Sequence, residues 1–275
     1  MPVKFSLPLK LSLPGEPKTS YLITPDHLHA FFLSLLPQEL AESFHKPAKY
    51  RPFCVWAPQI FKFNLSKEKK DTLPKEISIT ISFLKDEIFP PFLSSLFNFF
   101  QKKGTEKLFL GAYRVKLYSN SEPPLLKHDE YLDYNNPEVR PKPLFSFRFL
   151  TPISFKKGDV DYPLPDPKIV FKSLLNKWNY FSPIKISYDL GPALEEKLYI
   201  VHTSIKTYKI ELSLGSAITG FVGKVIYGGK KLTEEEVKWL TILGNFANFA
   251  GIGRKTTMGL GMAKFESIDE PQREG

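Results

Sequence analysis

Cysteine is almost absent from the chain, since Cys54 is the only one among 275 residues. A single cysteine excludes a disulfide framework and a multi-cysteine metal site, and it suits a reducing cytoplasm. No stretch reaches the roughly 18 apolar residues of a membrane-spanning helix. The N-terminus also lacks the apolar block of a signal peptide. We therefore expect a cytoplasmic protein that does not associate with membranes.

Motifs for metal chemistry are absent as well. The sequence has no His-Glu-x-x-His pair on a helix and no paired acidic residues with the spacing of two-metal nucleases. Asp129, Glu130 and Asp133 cluster, but they lie in a segment rich in proline and asparagine, which is typical of a solvated loop. We expect neither a metal ion nor another cofactor.

The chain has an excess of positive charge. It carries 38 Lys and Arg against 29 Asp and Glu, a formal net charge of +9. Such an excess favours an anionic partner, with nucleic acid as the first candidate and an anionic membrane as the second. With 42% hydrophobic and 24% charged residues, the chain has the composition of a folded protein of one large or two medium domains.

Hydrophobic periodicity predicts the order β-α-β-β-α-β twice. Alternation predicts strands, whereas apolar residues at a spacing of three and four predict helices. In the first half we predict strands at 3–13, 52–64, 76–84 and 107–118, with helices at 26–36 and 86–102 and a short helical turn at 38–45. In the second half we predict strands at 143–155, 197–212, 216–227 and 257–266, with helices at 166–180 and 233–248.

This repeated order predicts an α+β protein made of tandem ferredoxin-like domains, the βαββαβ architecture that the RNA-recognition motif shares. Two helix starts are well marked. Asp166 precedes Pro167 as a cap, and Thr233 with Glu236 forms a capping-box pattern. We place the first domain at 1–120, a loop-like linker at 121–142 and the second domain at 143–270.

A glycine-rich segment precedes the last predicted strand. Four glycines form a G-h-G-x5-G-h-G frame, in which h is apolar. They are Gly251, Gly253, Gly259 and Gly261, and the residues between them include Arg254, Lys255, Thr256 and Thr257. Glycines allow positive φ and a close approach to a ligand, so that free N–H groups can bind phosphate oxygens. The basic side chains and hydroxyls add charge and donors for an RNA backbone.

This segment has two other interpretations. A nucleotide-binding P-loop needs Gly-Lys-Ser/Thr at the start of a helix. Here the lysine precedes the second glycine pair and a strand follows, which disfavours that interpretation. Alternatively, the glycines only permit a tight connection between a helix and a strand.

The frame, its basic centre and its place after the last helix of a second ferredoxin-like domain resemble the glycine-rich loop of the RAMP superfamily. Within it, the chain is similar to the repeat-processing endoribonucleases, the sixth family of CRISPR-associated proteins. The resemblance also includes residues 21–33, residues 43–54 and the segment Leu150-Thr-Pro-Ile-Ser. It implies that the substrate is CRISPR repeat RNA, cut without metal to leave a 2′,3′-cyclic phosphate and a 5′-hydroxyl.

Histidine is the residue type that this chemistry needs, because its ordinary pKa of about 6.5 lets it accept and donate protons near neutral pH. The resemblance implies that His45 is a general acid or base. It assigns transition-state stabilisation to Arg51, with Lys49 as a substitute, and gives His29 a second, assisting role. Which histidine is the base and which the acid stays open.

The remaining histidines are weaker candidates. His27 points about 200° away from His29 on the predicted helix. His128 and His202 are predicted to be structural.

Basic residues beside aromatic ones occur at Arg148, Lys156 and Lys157. Such residues can line an RNA groove through charge and stacking. The alternative function is a non-catalytic RAMP subunit that binds RNA in a CRISPR effector complex, although such a scaffold does not need the histidines. A generic two-domain RNA-recognition protein is disfavoured, because its central-strand signature is absent. Association with an effector complex and a monomeric or homodimeric state are both left open.

Overall fold

The computed structural model describes residues 1–13, 21–65, 73–101, 108–117, 127–137, 139–213 and 215–269. These residues form two compact units. The first comprises residues 1–131 together with 210–218 and 255–259, and the second comprises 132–209, 219–254 and 260–275. The boundaries expected from the sequence assign both later segments of the first unit to the second domain. No helix in the described ranges is long and apolar enough to cross a membrane.

The first unit is built on an antiparallel sheet. Its elements are β1 (Val3–Ser12), α1 (Pro25–Ser34), α2 (Gln38–Ser43), β2 (Phe53–Trp56), α3 (Pro58–Leu65), β3 (Glu76–Phe83), α4 (Phe89–Gln101), β4 (Leu108–Leu110), β5 (Tyr113–Leu117) and β6 (Lys127–Tyr131). The strand order is β2-β3-β1-β5-β4, and β6 also pairs with β1. On β1 every second residue is buried, and the ring of Phe5 packs against those of Phe83 and Phe92.

The second unit repeats the arrangement with a four-stranded sheet. Its elements are β7 (Leu144–Ile153), β8 (Phe155–Lys157), β9 (Val160–Tyr162), α5 (Pro167–Phe181), β10 (Leu198–Glu211), β11 (Ala217–Gly229), α6 (Glu234–Ala250) and β12 (Ala263–Ile268). The strand order is β10-β11-β7-β12, while β8 and β9 form a separate hairpin. Both units therefore have the order of a ferredoxin-like sandwich, and the predicted fold class is confirmed.

The predicted caps are present. The Asp166 carboxylate accepts hydrogen bonds from the N–H groups of Lys168 and Ile169 at the start of α5. At the start of α6, the Thr233 hydroxyl accepts from the Glu236 N–H, and the Glu236 carboxylate accepts from the Thr233 N–H. These caps satisfy N–H groups that have no partner inside the helix.

Three predicted segments were wrong in part. The strand expected at 52–64 ends at Trp56, because Pro58 opens α3, whose buried Ile60 and Phe61 fill the core. The segment 121–142, expected to be a loop, contains β6, which places His128 opposite Phe5 of β1. The last strand begins at Ala263 rather than at 257, since a short 3-10 turn occupies Thr256–Met258.

Candidate active site and glycine-rich loop

Helix α1 positions His29 in the first unit. The helix buries Leu28, Phe31 and Phe32, and this leaves His29 half-buried at the edge of the apolar face. The His29 ring lies nearly parallel to that of Phe53 on β2, with 6.1 Å between ring centroids. His27 has a structural role, because its Nδ1 accepts a hydrogen bond from the N–H of Thr24 and so caps the N-terminus of the helix.

The glycine-rich segment fixes the orientation of the His29 ring. Nδ1 of His29 lies 3.0 Å from the carbonyl oxygen of Thr257. A carbonyl only accepts hydrogen bonds, so Nδ1 must carry the proton of this bond. In the neutral ring Nε2 is then left as the acceptor. The arrangement therefore directs the basic nitrogen of His29 away from the loop.

Burial lowers the pKa of His29 below its ordinary value of 6.5. The bond to Thr257 opposes the shift, whereas the positive charges of His45, Lys255 and Arg51 reinforce it. A base among these cations stays neutral at neutral pH and can accept a proton. The first unit thus brings together three side chains predicted from the sequence as catalytic, His29, His45 and Arg51, and adds Lys255 from the loop.

The turn after α2 presents His45. Phe44 is buried against Phe53 with 4.9 Å between ring centroids, and the adjacent His45 is exposed. Arg51 Nη2 donates a hydrogen bond to the Lys46 carbonyl at 2.5 Å, which ties the two ends of the turn together. Lys49 is exposed, with its ammonium 5.7 Å from the centre of the Tyr50 ring. Arg51 is one of the charged residues that lower the pKa of His29.

The glycine frame is needed by the backbone. Gly251, Gly253, Gly259 and Gly261 all have positive φ, between 58° and 93°. A Cβ at Gly253 would lie 2.4 Å from the Ser154 carbonyl oxygen, and one at Gly259 would lie 2.7 Å from the Phe61 ring. Four glycines are thus required for the path of the chain, whatever the loop binds. Lys255 at the centre also has a left-handed backbone, with φ 60°.

A buried lysine holds the first arm of the loop. The ammonium of Lys177 on α5 donates hydrogen bonds to the carbonyls of Ala250 and Gly251, at 2.9 and 3.1 Å. It thereby satisfies acceptors at the C-terminus of α6, where the helix dipole favours a cation. In the second arm, the Gly261 N–H donates to the Pro152 carbonyl.

The two basic residues of the loop have different surroundings. Nη1 of Arg254 lies 2.6 Å from Oδ1 of Asp161 on β9, and the other oxygen of this carboxylate accepts from the Thr219 N–H. Arg254 is therefore engaged within the second unit. Lys255 is exposed, while Thr256 beside it is buried.

The other predicted RNA-binding residues lie elsewhere in the second unit. Lys156 and Lys157 are exposed on the β8–β9 hairpin, and the Lys157 ammonium lies 5.5 Å from the centre of the Tyr162 ring. Arg148 is exposed on β7, one of the two inner strands of the sheet. In the described ranges, no three His, Cys, Asp or Glu side chains are grouped closely enough to hold a metal ion.

Comparison with known proteins agrees with this architecture. The sequence profile of the family described as "CRISPR-associated endoribonuclease Cas6" matches residues 147–263, which include the whole glycine frame. A Cas6 endoribonuclease of Mycobacterium tuberculosis is 23% identical over 96% of this chain and 78% of its own length. One from Streptococcus thermophilus is 27% identical over 58% of this chain and 70% of its own length.

A solved Cas6 product complex, of a Thermus thermophilus protein, superposes with a TM-score of 0.75 at 25% identity. The match covers 97% of this chain and 100% of that one. Residues 147–263 thus match the Cas6 family, and the chain has the fold of a solved Cas6 protein. The family resemblance inferred from the glycine frame is confirmed, since the frame lies within the residues that the Cas6 profile matches.

Sequence reasoning missed the contact that orients His29. Thr257 was noted only as a possible hydroxyl donor, yet its backbone carbonyl is the group that binds the histidine. A backbone contact between residues 228 positions apart leaves no signal in residue types or spacing. The positive charge of Lys255 was assigned to RNA binding, and its effect on the pKa of His29 was not foreseen.

The effect of Lys255 on His29 is testable through the pH dependence of cleavage. We expect neutral His29 to act as the base, so the rate of cleavage should fall as pH drops through its pKa, which lies below 6.5. Lys255→Gln removes a positive charge that disfavours protonation of His29. The pKa of His29 should therefore rise, and the acidic limb of the pH–rate profile should move to higher pH. Single-turnover rates across the acidic range measure this shift. Lys238→Gln, an exposed lysine of α6, is the control and should leave the limb in place. If the acidic limb of the pH–rate profile stays in place in Lys255→Gln, the assignment of His29 as the base is contradicted.

The pairing of Arg254 with Asp161 predicts that Arg254 acts by positioning the β8–β9 hairpin. Asp161→Asn and Arg254→Gln should each weaken binding of an uncleavable repeat RNA by roughly threefold to tenfold, about 0.7–1.4 kcal/mol, and the double variant should be no worse than either. Binding titrations of the two single variants, the double variant and the wild type form a double-mutant cycle. If Arg254 instead contacts phosphate, Asp161→Asn will leave the affinity unchanged or improve it.

Proposed function

We propose that this chain cleaves precursor CRISPR RNA within its repeats and releases mature guide RNA. One observation carries the proposal: a half-buried histidine, His29, is held by its Nδ1 at a backbone carbonyl, and the charges of His45, Arg51 and Lys255 lower its pKa. This combination supplies a neutral base, a second proton-transfer group and two fixed positive charges. The match of residues 147–263 to a family of endoribonucleases supports the same conclusion.

The geometry supports a reaction that uses the RNA's own 2′-hydroxyl. Nε2 of His29 takes the proton of the 2′-hydroxyl, and the 2′-oxygen then attacks the adjacent phosphorus. The bond from phosphorus to the 5′-oxygen breaks, and His45 gives a proton to the leaving oxygen. The products are a 2′,3′-cyclic phosphate and a 5′-hydroxyl. No water or metal is consumed in these steps.

Arg51 and Lys255 stabilise the transition state. Two negative charges develop on the phosphorane oxygens, and fixed cations in a partly desolvated site act strongly on them. The Arg51 guanidinium is held by the Lys46 carbonyl, so it does not have to be ordered during the reaction. Lys255 is held by a loop whose path depends on the four glycines.

The glycine-rich loop binds RNA in this proposal. The predicted contacts are Gly251, Gly253, Arg254, Lys255, Thr256, Gly259 and Gly261. Of these, exposed Lys255 is the strongest candidate for a direct phosphate contact, whereas Arg254 supports the loop through Asp161. Among the described residues, no acceptor is recorded for the N–H groups of Lys255 and Thr256. These groups suit a phosphate oxygen.

The partner is the repeat RNA, and the product stays bound or passes to an effector complex. A non-catalytic RNA-binding subunit is the alternative that the test must exclude. The Mycobacterium tuberculosis and Streptococcus thermophilus relatives are both named as endoribonucleases. The His29 cluster also favours the enzyme, because a scaffold has no need of an oriented base.

The deciding experiment uses the full-length protein and a labelled repeat RNA in excess chelator. We expect one cut per repeat, with a 5′-hydroxyl on one fragment and a 2′,3′-cyclic phosphate on the other. A repeat RNA with a 2′-deoxy nucleotide at the cut site should bind and stay intact. Tight binding without cleavage of the all-ribo RNA would establish the scaffold alternative. Cleavage of the 2′-deoxy RNA would refute the mechanism.

A further inference from the structure

Three positive side chains lie in one row across the sheet of the second unit. On β7, Arg148 is directly opposite Lys224 of β11 on one side and directly opposite Lys264 of β12 on the other. All three side chains are exposed. We call Arg148, Lys224 and Lys264 the cation row. Sequence reasoning identified only Arg148, because the register that aligns the two lysines with it is set by strand pairing.

The cation row lies on the face of the sheet that the helices leave open. Side chains alternate along a strand, and the neighbours of Arg148 in sequence, Phe147 and Phe149, are buried. Phe147 packs edge-on against Phe171 of α5. Val225 of β11 and Phe265 of β12, both opposite Phe147, are buried too. The helices therefore cover the Phe147 face, and the cation row is on the other one.

This arrangement is costly in the absence of an anion. Like charges directly opposite each other on neighbouring strands destabilise a sheet, and here the central cation has one on each side. Among the described residues, no ion pair is recorded for any member of the row. Glu266 is the nearest acidic residue along β12, but it is two residues from Lys264 and lies opposite Ser146.

The spacing favours an extended polyanion. Neighbouring strands are about 4.8 Å apart, so the row spans roughly 10 Å across three strands. A single small anion cannot contact all of it, whereas consecutive phosphates of one strand can. The outward residues beside the row include half-buried Leu150, Ile226 and Met262, which suit the riboses and bases of an unpaired strand. No exposed aromatic side chain lies on these strands for base stacking.

We infer that the cation row binds the phosphate backbone of a single-stranded segment of the RNA. The inference rests on the proposed function, since it takes repeat RNA as the ligand. Phosphate contacts carry no sequence information. The row therefore contributes affinity that is independent of sequence and steeply dependent on salt, while recognition of the repeat comes from elsewhere in the protein.

The test compares two double variants with the same change in charge. Lys224→Gln/Lys264→Gln removes two members of the row, and Lys172→Gln/Lys238→Gln removes two exposed lysines from the helices α5 and α6. The ligand is the repeat RNA with a 2′-deoxy nucleotide at the cut site. Binding is measured at several salt concentrations, and thermal melting shows whether each variant is folded.

We expect the row variant to lower the slope of log affinity against log salt by about 1.4, since each single-strand phosphate contact contributes about 0.7. The same loss should appear with a scrambled single-stranded RNA, and the melting temperature should not fall. The helix variant should keep the wild-type slope. An unchanged slope in the row variant overturns the inference. If the wild-type protein binds anionic vesicles and the row variant loses only that binding while it still binds RNA, the row instead contacts a membrane.

The result is separable from the proposed function. If the wild-type protein does not cut the all-ribo repeat, the catalytic proposal fails, whereas the slope comparison on uncut RNA still decides the cation row. If the protein cuts the repeat and the two double variants have equal slopes, only the inference about the row fails.

Discussion

Replacing His29 by alanine is expected to slow cleavage of repeat RNA by two to four orders of magnitude, roughly the contribution of a general base. Affinity for the uncleavable RNA should stay close to that of the wild type, because His29 contacts the transferred proton rather than the RNA backbone. Single-turnover rates at saturating protein measure the chemical step. His202→Ala, which alters an exposed histidine on β10, is the matched control and should cleave normally.

Added imidazole sharpens the test of His29. Removal of the side chain leaves a space beside Phe53 and the Thr257 carbonyl, which can orient a free imidazole as it orients the ring of His29. If imidazole partly restores the cleavage rate of His29→Ala and does not restore that of His45→Ala, His29 is identified as the base. A His29→Ala protein that is folded and cleaves at the wild-type rate would exclude His29 from the reaction.

The bond from His29 to Thr257 explains why this histidine, and not its neighbour, is suited to be the base. His27 on the same helix has its Nδ1 occupied as an acceptor of the Thr24 N–H. His29 has the opposite polarity, since Nδ1 donates and Nε2 accepts. The orientation is imposed by a main-chain group, so it persists whatever side chain stands at position 257. Thr257→Ala should accordingly retain the His29 contact.

Local signals in the sequence were sufficient for much of the fold. Alternation along β1 and β3 and the caps of α5 and α6 involve residues close together in the chain, and each of these elements forms as predicted. The strand β6 was missed because its stability comes from pairing with β1, more than a hundred residues earlier. The apolar run after Trp56 was misassigned because a short buried helix and a buried strand have similar composition.

The candidate site was predictable only in its parts. The histidines and cations indicated a type of chemistry, and the glycine frame indicated a resemblance to a family. What the sequence did not reveal is that residues 255–259 belong to the first unit, where Gly259 packs against Leu28 and Phe61. The lack of a Cβ at Gly259 is explained by this packing. Glycine, interpreted from the sequence as a means of approaching phosphate, here also allows the loop to approach a hydrophobic core.

The last prediction separates the acid from the base. His45→Ala should slow cleavage by about two to four orders of magnitude on ordinary repeat RNA, because the leaving 5′-oxygen then departs without a proton. If the bridging 5′-oxygen at the cut site is replaced by sulfur, the leaving group becomes a thiolate, whose conjugate acid has a pKa near 8.5 and which needs little protonation. On this RNA, His45→Ala should cleave nearly as fast as the wild type.

His29→Ala provides the matched comparison on the same sulfur-substituted RNA. A base acts on the 2′-hydroxyl, which the sulfur does not change, so its defect should persist undiminished. Rescue of His29→Ala and not of His45→Ala would reverse the two roles. That outcome would conflict with the lowered pKa of His29, because a histidine that is neutral at working pH has no proton to give to the leaving oxygen. Rescue of neither variant would mean that protonation of the leaving group falls to another residue.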